Sequence, residues 1–315
     1  MNNTVKISLL SLLCLALIAI FLFTGMIGQW DYVFPRRVYK IAAIAITGAA
    51  IAFSTLVFQT VTNNRILTPS IIGLDSLYML LQTFIVFVFG STSRLVTQPE
   101  LNFLLSAGCM LLFVGILYRL MFKGEGRHLY LMLLVGLVLG TFFGSMSTFM
   151  QVLIDPNEFL VVQGRMFASF NNVNTGLLPL AFAVMIAVLL YGLRYLGILD
   201  VMSLGRDHAV NLGIAYDKTV KRLLVVAAVL VSLSTALVGP ITFLGLLVVN
   251  VAYQLMATYR HRALLGGSIL ISIAALALGQ LLVERIFTFS TTISVIVNFA
   301  GGLYFLYLLL RENKI

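Results

Sequence analysis

The chain has 315 residues, of which 61% are hydrophobic and only 10% charged, with a formal net charge of +9. A water-soluble domain carries roughly 25% charged residues to keep its surface hydrated, so this composition excludes a soluble enzyme or binding module. The positive balance does not point to nucleic acid, because no Lys/Arg run carries interleaved aromatics. In an apolar chain, basic loop residues instead set orientation in the bilayer.

The apolar residues come in blocks of about twenty, enough to cross a hydrocarbon core of about 30 Å at 1.5 Å per residue. The first block, 7–28, is longer than the 7–15-residue core of a secretory signal. No small-residue cleavage site follows it, so it reads as a retained span with Trp30 as interfacial anchor. Blocks at 39–62, 71–90, 101–121 and 128–152 follow, and Pro69 suits a helix start for the third. The second half gives 175–195, 222–238, 243–258, 263–283 and 294–310. Gly239-Pro240 separates two of these, since Gly-Pro terminates helices well. The pattern predicts an all-α polytopic membrane helix bundle of about ten transmembrane helices, forming a single domain over 1–315. An even number of spans places both termini on one side. With that side cytoplasmic, Arg36, Arg37, Lys40, Arg94, Arg165 and Arg285 lie outside and the other fourteen of the twenty Lys and Arg inside. That asymmetry is what the positive-inside rule demands.

Two loops are longer than turns. The outer one, 153–174, carries Asp155, Pro156 and Glu158, then an amphipathic piece over 161–170. The inner one, 196–221, places Ser203 as an N-cap, Arg206 and Asp207 early in a helix, and Gly213 at its C′ position. A helix of two or three turns on the cytoplasmic face is expected there.

Little in the chain carries reaction chemistry. Cys14 and Cys109 sit inside apolar blocks as small hydrophobes, and His128, His208 and His261 are isolated from one another. No metal site, cofactor site or catalytic constellation is expected, and there is no G-x-x-x-x-G-K-[ST] loop. A pump built on this chain would need ATP hydrolysed by another subunit. Asp75 and Glu284 fall near span ends, where water or headgroups can reach them. Ion-coupled carriers keep ionisable or broken-helix sites near the midplane, which weighs against that class. Gly136, Gly140 and Gly144 share one face of the fifth span. Such a ladder serves either helix packing within one subunit or a helix lining a path or subunit interface. Arg36 and Arg37, after Pro35, and Arg285 place positive charge outside. They meet headgroups, pair with Glu284 or Asp31, or dock an acidic partner through bidentate carboxylate contacts. A secondary transporter and a structural membrane protein without transport activity remain as alternatives.

At four stretches the sequence resembles the iron–siderophore ABC uptake permeases, which share the fold of the vitamin B12 permease. The first is Phe34-Pro35-Arg36-Arg37 with 46–52 and Gln59; the second is Thr62-Asn63-Asn64-Arg65 with Pro69 and Gly73. The third is Leu204–Gly213, similar to the family's coupling helix, and the fourth is the Gly-Pro-x-x-Phe-x-Gly-Leu signature at 239–246. The family's Pro-His after that signature is here Val249-Asn250, and its Glu-Leu-Pro-x-Gly before the last helix is replaced around 291–294. These departures mark a divergent branch, resembling permeases for ferric catecholates such as petrobactin. The resemblance implies a second permease subunit, identical or different, two ATPase subunits and an extracytoplasmic siderophore-binding protein. It implies docking of that protein on Arg36, Arg37 and Arg285. It implies contact with the ATPase through Ser203, Leu204, Gly205, Arg206, Asp207, Ala209, Leu212 and Gly213. It makes Gln59, Asn64, Gly140, Gly144, Phe167, Phe170 and Asn171 candidates for the pathway and its gates, the fifth and tenth helices and the short outer helix lining the path.

Overall fold

The computed structural model describes residues 2–24, 30–121, 128–171, 173 and 176–312, and these form helices joined by short loops. Six helices are long and apolar enough to cross a bilayer: α1 (Asn3–Phe23), α2 (Trp30–Thr62), α5 (Pro99–Met121), α6 (His128–Leu153), α11 (Tyr216–Val238) and α13 (His261–Arg285). A seventh apolar stretch is α8 (Leu178–Leu193) continued, at a 53° bend, by α9 (Leu196–Met202). Three apolar helices are shorter: α3 (Leu74–Phe89), α12 (Leu244–Met256) and α14 (Ile293–Glu312). The remaining helices, α4 (Arg94–Thr97), α7 (Pro156–Met166) and α10 (Arg206–Asn211), lie in the connections. The chain is thus a polytopic helical bundle.

α2 is the spine. It begins nine residues before the expected 39, because Pro35 is accommodated in its early turns, and α11, α12, α13, α8 and α1 pack around it. Its face is rich in small residues, among them Ala43, Gly48, Ala50, Ala52 and Ser54, all buried. Small side chains let helix backbones approach closely where no hydrophobic force drives association. α1 is peripheral and packs mainly on α13. The end of the expected first span, 25–28, and the inner loop 122–127 lie outside the described residues.

Two helices start inside the bundle, not at its surface. Pro69 opens a single 3-10 turn, Pro69–Ile72, and α3 follows only after Gly73, whose φ of 89° reverses the chain. The expected span from 71 therefore begins later, at 74. This turn packs against Gly136 and Gly140, half-way along the 26 residues of α6. Likewise α11 stops at Val238, Gly239 adopts φ 96°, and α12 begins beside Phe243, which packs on Gly301 in the middle of α14. At 1.5 Å per residue α3 is about 24 Å long and α12 about 20 Å, less than the hydrocarbon thickness. Both are short because their first turns sit at mid-height of their longer neighbours.

Candidate functional site

The expected residues gather into three places: one end of the bundle, the opposite end, and the two broken-helix joints between them.

The first end holds the segment expected to meet an ATPase. α10 has six residues, less than two turns, so it is shorter than expected. Ser203 is not its N-cap. It closes α9 instead, and its hydroxyl donates to the Asp200 carbonyl at 2.7 Å. Gly205, at φ 100°, holds the cap position, a conformation in which a side chain would be strained. The C-terminus matches the expectation. Gly213 has φ 83°, its N–H donates to the Val210 carbonyl at 2.9 Å, and the Ile214 N–H donates to the Ala209 carbonyl at 3.0 Å. That pair of bonds is the Schellman arrangement. Ala209 is fully buried against the bundle, while Leu204, Val210 and Leu212 are exposed around it. Arg206 and Asp207 stand in the first turn, and Arg206 meets Asp217 at 3.4 Å with both side chains more than half exposed. Such a pair contributes little to stability.

Beneath this hook lies a cavity of about 620 Å³, lined by Gln59, Asn64, Arg65, Ser203, Leu204 and His261 among others. The structure thereby joins two residues expected in the pathway, Gln59 and Asn64, to the expected coupling segment. Gln59 Nε2 and Asn250 Nδ2 both donate to the Arg65 carbonyl, at 2.6 and 2.9 Å. Asn250, one of the departures from the family pattern, thus helps pin the 63–68 loop. The Asp200 carboxylate accepts from the His261 backbone N–H at 2.6 Å and faces the ring Nδ1 at 2.7 Å. His261 Nε2 faces the Thr60 hydroxyl at 2.8 Å. This chain of contacts ties α9, and with it α10, to the ends of α2 and α13. Sequence reasoning missed it because the three residues are far apart in the chain.

The opposite end carries the arginines. Arg37 is only 9% exposed, and its Nη1 donates to the carbonyls of Phe21, Leu22 and Thr24 at 2.9, 2.9 and 2.8 Å. It caps the C-terminus of α1, where a cation also favours the helix dipole. Arg36, one residue before it, is exposed and lies over the Tyr32 ring at 4.0 Å. Arg285 is exposed too and donates to the Thr24 carbonyl. Glu284 pairs with Lys40 at 2.8 Å, and Gln280 and Lys40 both donate to the Asn171 Oδ1, at 2.9 and 2.8 Å. Arg36, Arg37, Lys40, Phe170, Asn171 and Glu284 border one open pocket of about 650 Å³. Phe170 is nearly fully buried beneath it, whereas Phe167 is partly exposed in a separate cavity of about 280 Å³ with Tyr78, Asn102 and Arg165. α7, above that cavity, starts with Asp155 accepting from the Asn157 N–H and Pro156 in the first turn. Arg165, near its end, donates to Gln82 Oε1 at 2.8 Å and to the Val96 carbonyl at 2.6 Å. Burial pushes its guanidinium below the usual arginine range. Ser294, from the other departure, accepts from the Ala168 N–H at 3.0 Å and holds the strap that follows α7.

Between the ends, the glycine ladder divides. Gly136 and Gly140 pack backbone to backbone on Ile72 and Gly73, while a Cβ added at Gly144 would enter open space. Asp75 was expected near a span end. It stands instead in the first turn of α3, at the mid-height joint, with Thr235 and Thr242 donating to its carboxylate at 3.3 and 3.4 Å. The 3-10 turn and Gly73 break what would otherwise be one continuous helix from residue 71 and draw its start into the bundle.

The sequence profile of the FecCD transport family matches residues 7–311. The chain is 60% identical over 314 residues to the petrobactin import system permease protein YclO of Bacillus subtilis, covering 100% of this chain and 99% of that one. It is 37% identical over 283 residues to the petrobactin import system permease protein FatC of Bacillus anthracis, covering 90% and 80%. A metal-chelate type ABC transporter solved in an inward-facing conformation shares the fold, with a TM-score of 0.84, 22% identity and coverage of 98% and 99%. The chain belongs to the FecCD transport family.

Proposed function

We propose that this chain is the membrane-spanning permease subunit of a bacterial ABC importer, carrying a ferric siderophore of the catecholate type into the cytoplasm. The observation that carries this reading is the 60% identity to a petrobactin permease along the whole chain. In this reading the six long helices, the bent α8–α9 pair and the three shorter apolar helices make ten spans, in one domain over 1–315. Both termini face the cytoplasm of the inner membrane. ATP is hydrolysed by two separate subunits that seat the α10 hook through Leu204, Val210 and Leu212. Residues 203–213 transmit their motion, and the Asp200–His261–Thr60 contacts pass it to α2 and α13. A second permease, identical or different, completes the path. An extracytoplasmic binding protein docks at the opposite end on Arg36 and Arg285, with Arg37 holding the rim in shape from below. Gln59 and Asn64 stand at the cytoplasmic mouth; Phe167, Phe170 and Asn171 at the outer one; Gly140 and Gly144 along the wall between. Nucleotide and cargo act on such a two-state machine only through their different affinities for its states.

One observation favours a second reading, an ion-coupled secondary carrier: Asp75 occupies the mid-height, broken-helix position that such carriers use. The experiment is uptake of radio-iron, presented as a ferric catecholate to iron-limited cells with and without this gene. Loss of uptake that is restored by the intact gene, but not by an Asp207 variant that still inserts, supports the importer. Uptake that persists without the gene, in cells lacking other importers, refutes the siderophore assignment.

A further inference from the structure

Asp75 is the feature the importer mechanism above leaves unused. An ionisable side chain inside a membrane bundle is costly, and where one persists it faces a cavity or a partner and marks a ligand path. The Asp75 carboxylate is held by hydroxyls alone: Ser70, and Thr235 and Thr242 at 3.3 and 3.4 Å, the latter two long against about 2.7 Å for a well-formed O–H···O bond. Among the described residues it forms no ion pair. It is not fully covered either, being intermediate in exposure. On one side it borders a small cavity of about 20 Å³ with Thr55, Thr68 and Thr235. On the other it opens into a groove of about 400 Å³. That groove runs between the joint packed on α6 and the side chain of Phe305 on α14. Its walls are otherwise Ile66, Leu67, Ile71, Phe243 and Leu246, with a few hydroxyls. The start of α3 offsets part of the negative charge through its dipole. A dipole alone accounts for a carboxylate at this helix start, but not for an open groove whose single charge is left without a cation.

We propose that Asp75 is a specificity residue of the translocation path, receiving a protonated amine of the cargo chelate at mid-membrane. A cationic arm entering the groove would gain the counter-charge that the bundle does not supply, where low dielectric strengthens the attraction. An all-anionic chelate would be repelled there. This inference rests on the permease reading, and the groove becomes part of a closed path only with the second permease.

The test uses the full complex with its binding protein, reconstituted in vesicles. Two ferric bis-catecholates are compared, one with a secondary amine in its linker and one with methylene in its place, both held by the binding protein with equal Kd. The wild-type complex is expected to favour the amine chelate about tenfold in kcat/KM, equivalent to about 1.4 kcal/mol. Asp75→Asn brings that ratio to about one, and Asp75→Glu restores part of it. A ratio that stays at its wild-type value in Asp75→Asn, whether or not both rates fall, refutes the proposal and leaves Asp75 a packing residue. A strict Na⁺ requirement that Asp75→Asn abolishes, with no amine preference in the wild type, also refutes it and assigns the site to a free cation. Failure of the wild-type complex to carry either chelate is a different result, striking at the permease reading itself.

Discussion

The glycine ladder of α6 gives a sharp contrast within one helix. A Cβ added at Gly136 would lie 2.8 Å from Ile72 Cα and 3.1–3.2 Å from the carbonyl oxygens of Ile72 and Ile71. All three atoms are backbone, so no side chain can swing aside. Carbon atoms pack at about 3.5–4.0 Å, so the 3-10 turn or the helix must retreat by roughly 1 Å. Overpacking of this kind costs about 2–3 kcal/mol, offset by about 1 kcal/mol of improved helix propensity. Gly136→Ala is therefore expected to lose about 1–2 kcal/mol. At Gly144 a Cβ meets nothing within 4 Å, so Gly144→Ala keeps only the propensity gain of about 1 kcal/mol. With roughly 2–4 °C of Tm per kcal/mol, the two variants should differ by about 5 °C or more in detergent, read by fluorescence-detected size exclusion after heating. Equal Tm values for the two would refute the packing of the 69–73 joint on α6.

Other outcomes follow from the two ends. Arg37→Ala strips the cap from the end of α1 and should cost about 3 kcal/mol, as hydrogen bonds from a charged donor cost about 1.5–3 kcal/mol each. Arg36→Ala should leave Tm within about 1 °C while weakening binding-protein affinity, measured by surface plasmon resonance; equal Tm losses would contradict the assigned roles. Gly205→Val forces a side chain into φ 100° and should abolish uptake while ATP hydrolysis by the assembled complex continues; wild-type uptake would mean α10 is not the coupling element. Asp200→Asn keeps the shape of the α9–α13 contact but removes its charge, and should lower uptake several-fold at unchanged membrane insertion. Single cysteines placed at Asn2 and His208 should both resist an impermeant thiol reagent added outside intact cells, and labelling of either contradicts cytoplasmic termini.

Much of this architecture could be read from local sequence, and the misreadings have a common cause. Long apolar runs such as those of α5, α11 and α13 declare themselves, because crossing a bilayer is a requirement on length and composition alone. Gly213 was legible as a helix end for the same local reason, a residue that tolerates positive φ placed just past the short helix expected there. The start of α3 was not legible, since it depends on what α6 presents at Gly136 and Gly140. Asp75 is consequently expected near a span end, within reach of water or headgroups. Arg36 and Arg37 looked equivalent in sequence, yet neighbours on a helix point about 100° apart, so one caps α1 from within and the other faces out. The Asp200–His261–Thr60 contacts join three helices and carry no local signature at all.

The central claim is ATP-driven permeation, and it is tested most directly in vesicles containing this chain, its partner permease and the ATPase, with the binding protein and a ferric catecholate outside. The account predicts iron accumulation that requires ATP inside the ATPase-facing compartment and persists when proton and sodium gradients are collapsed. Accumulation that ignores ATP and disappears with either gradient would contradict it and identify an ion-coupled carrier.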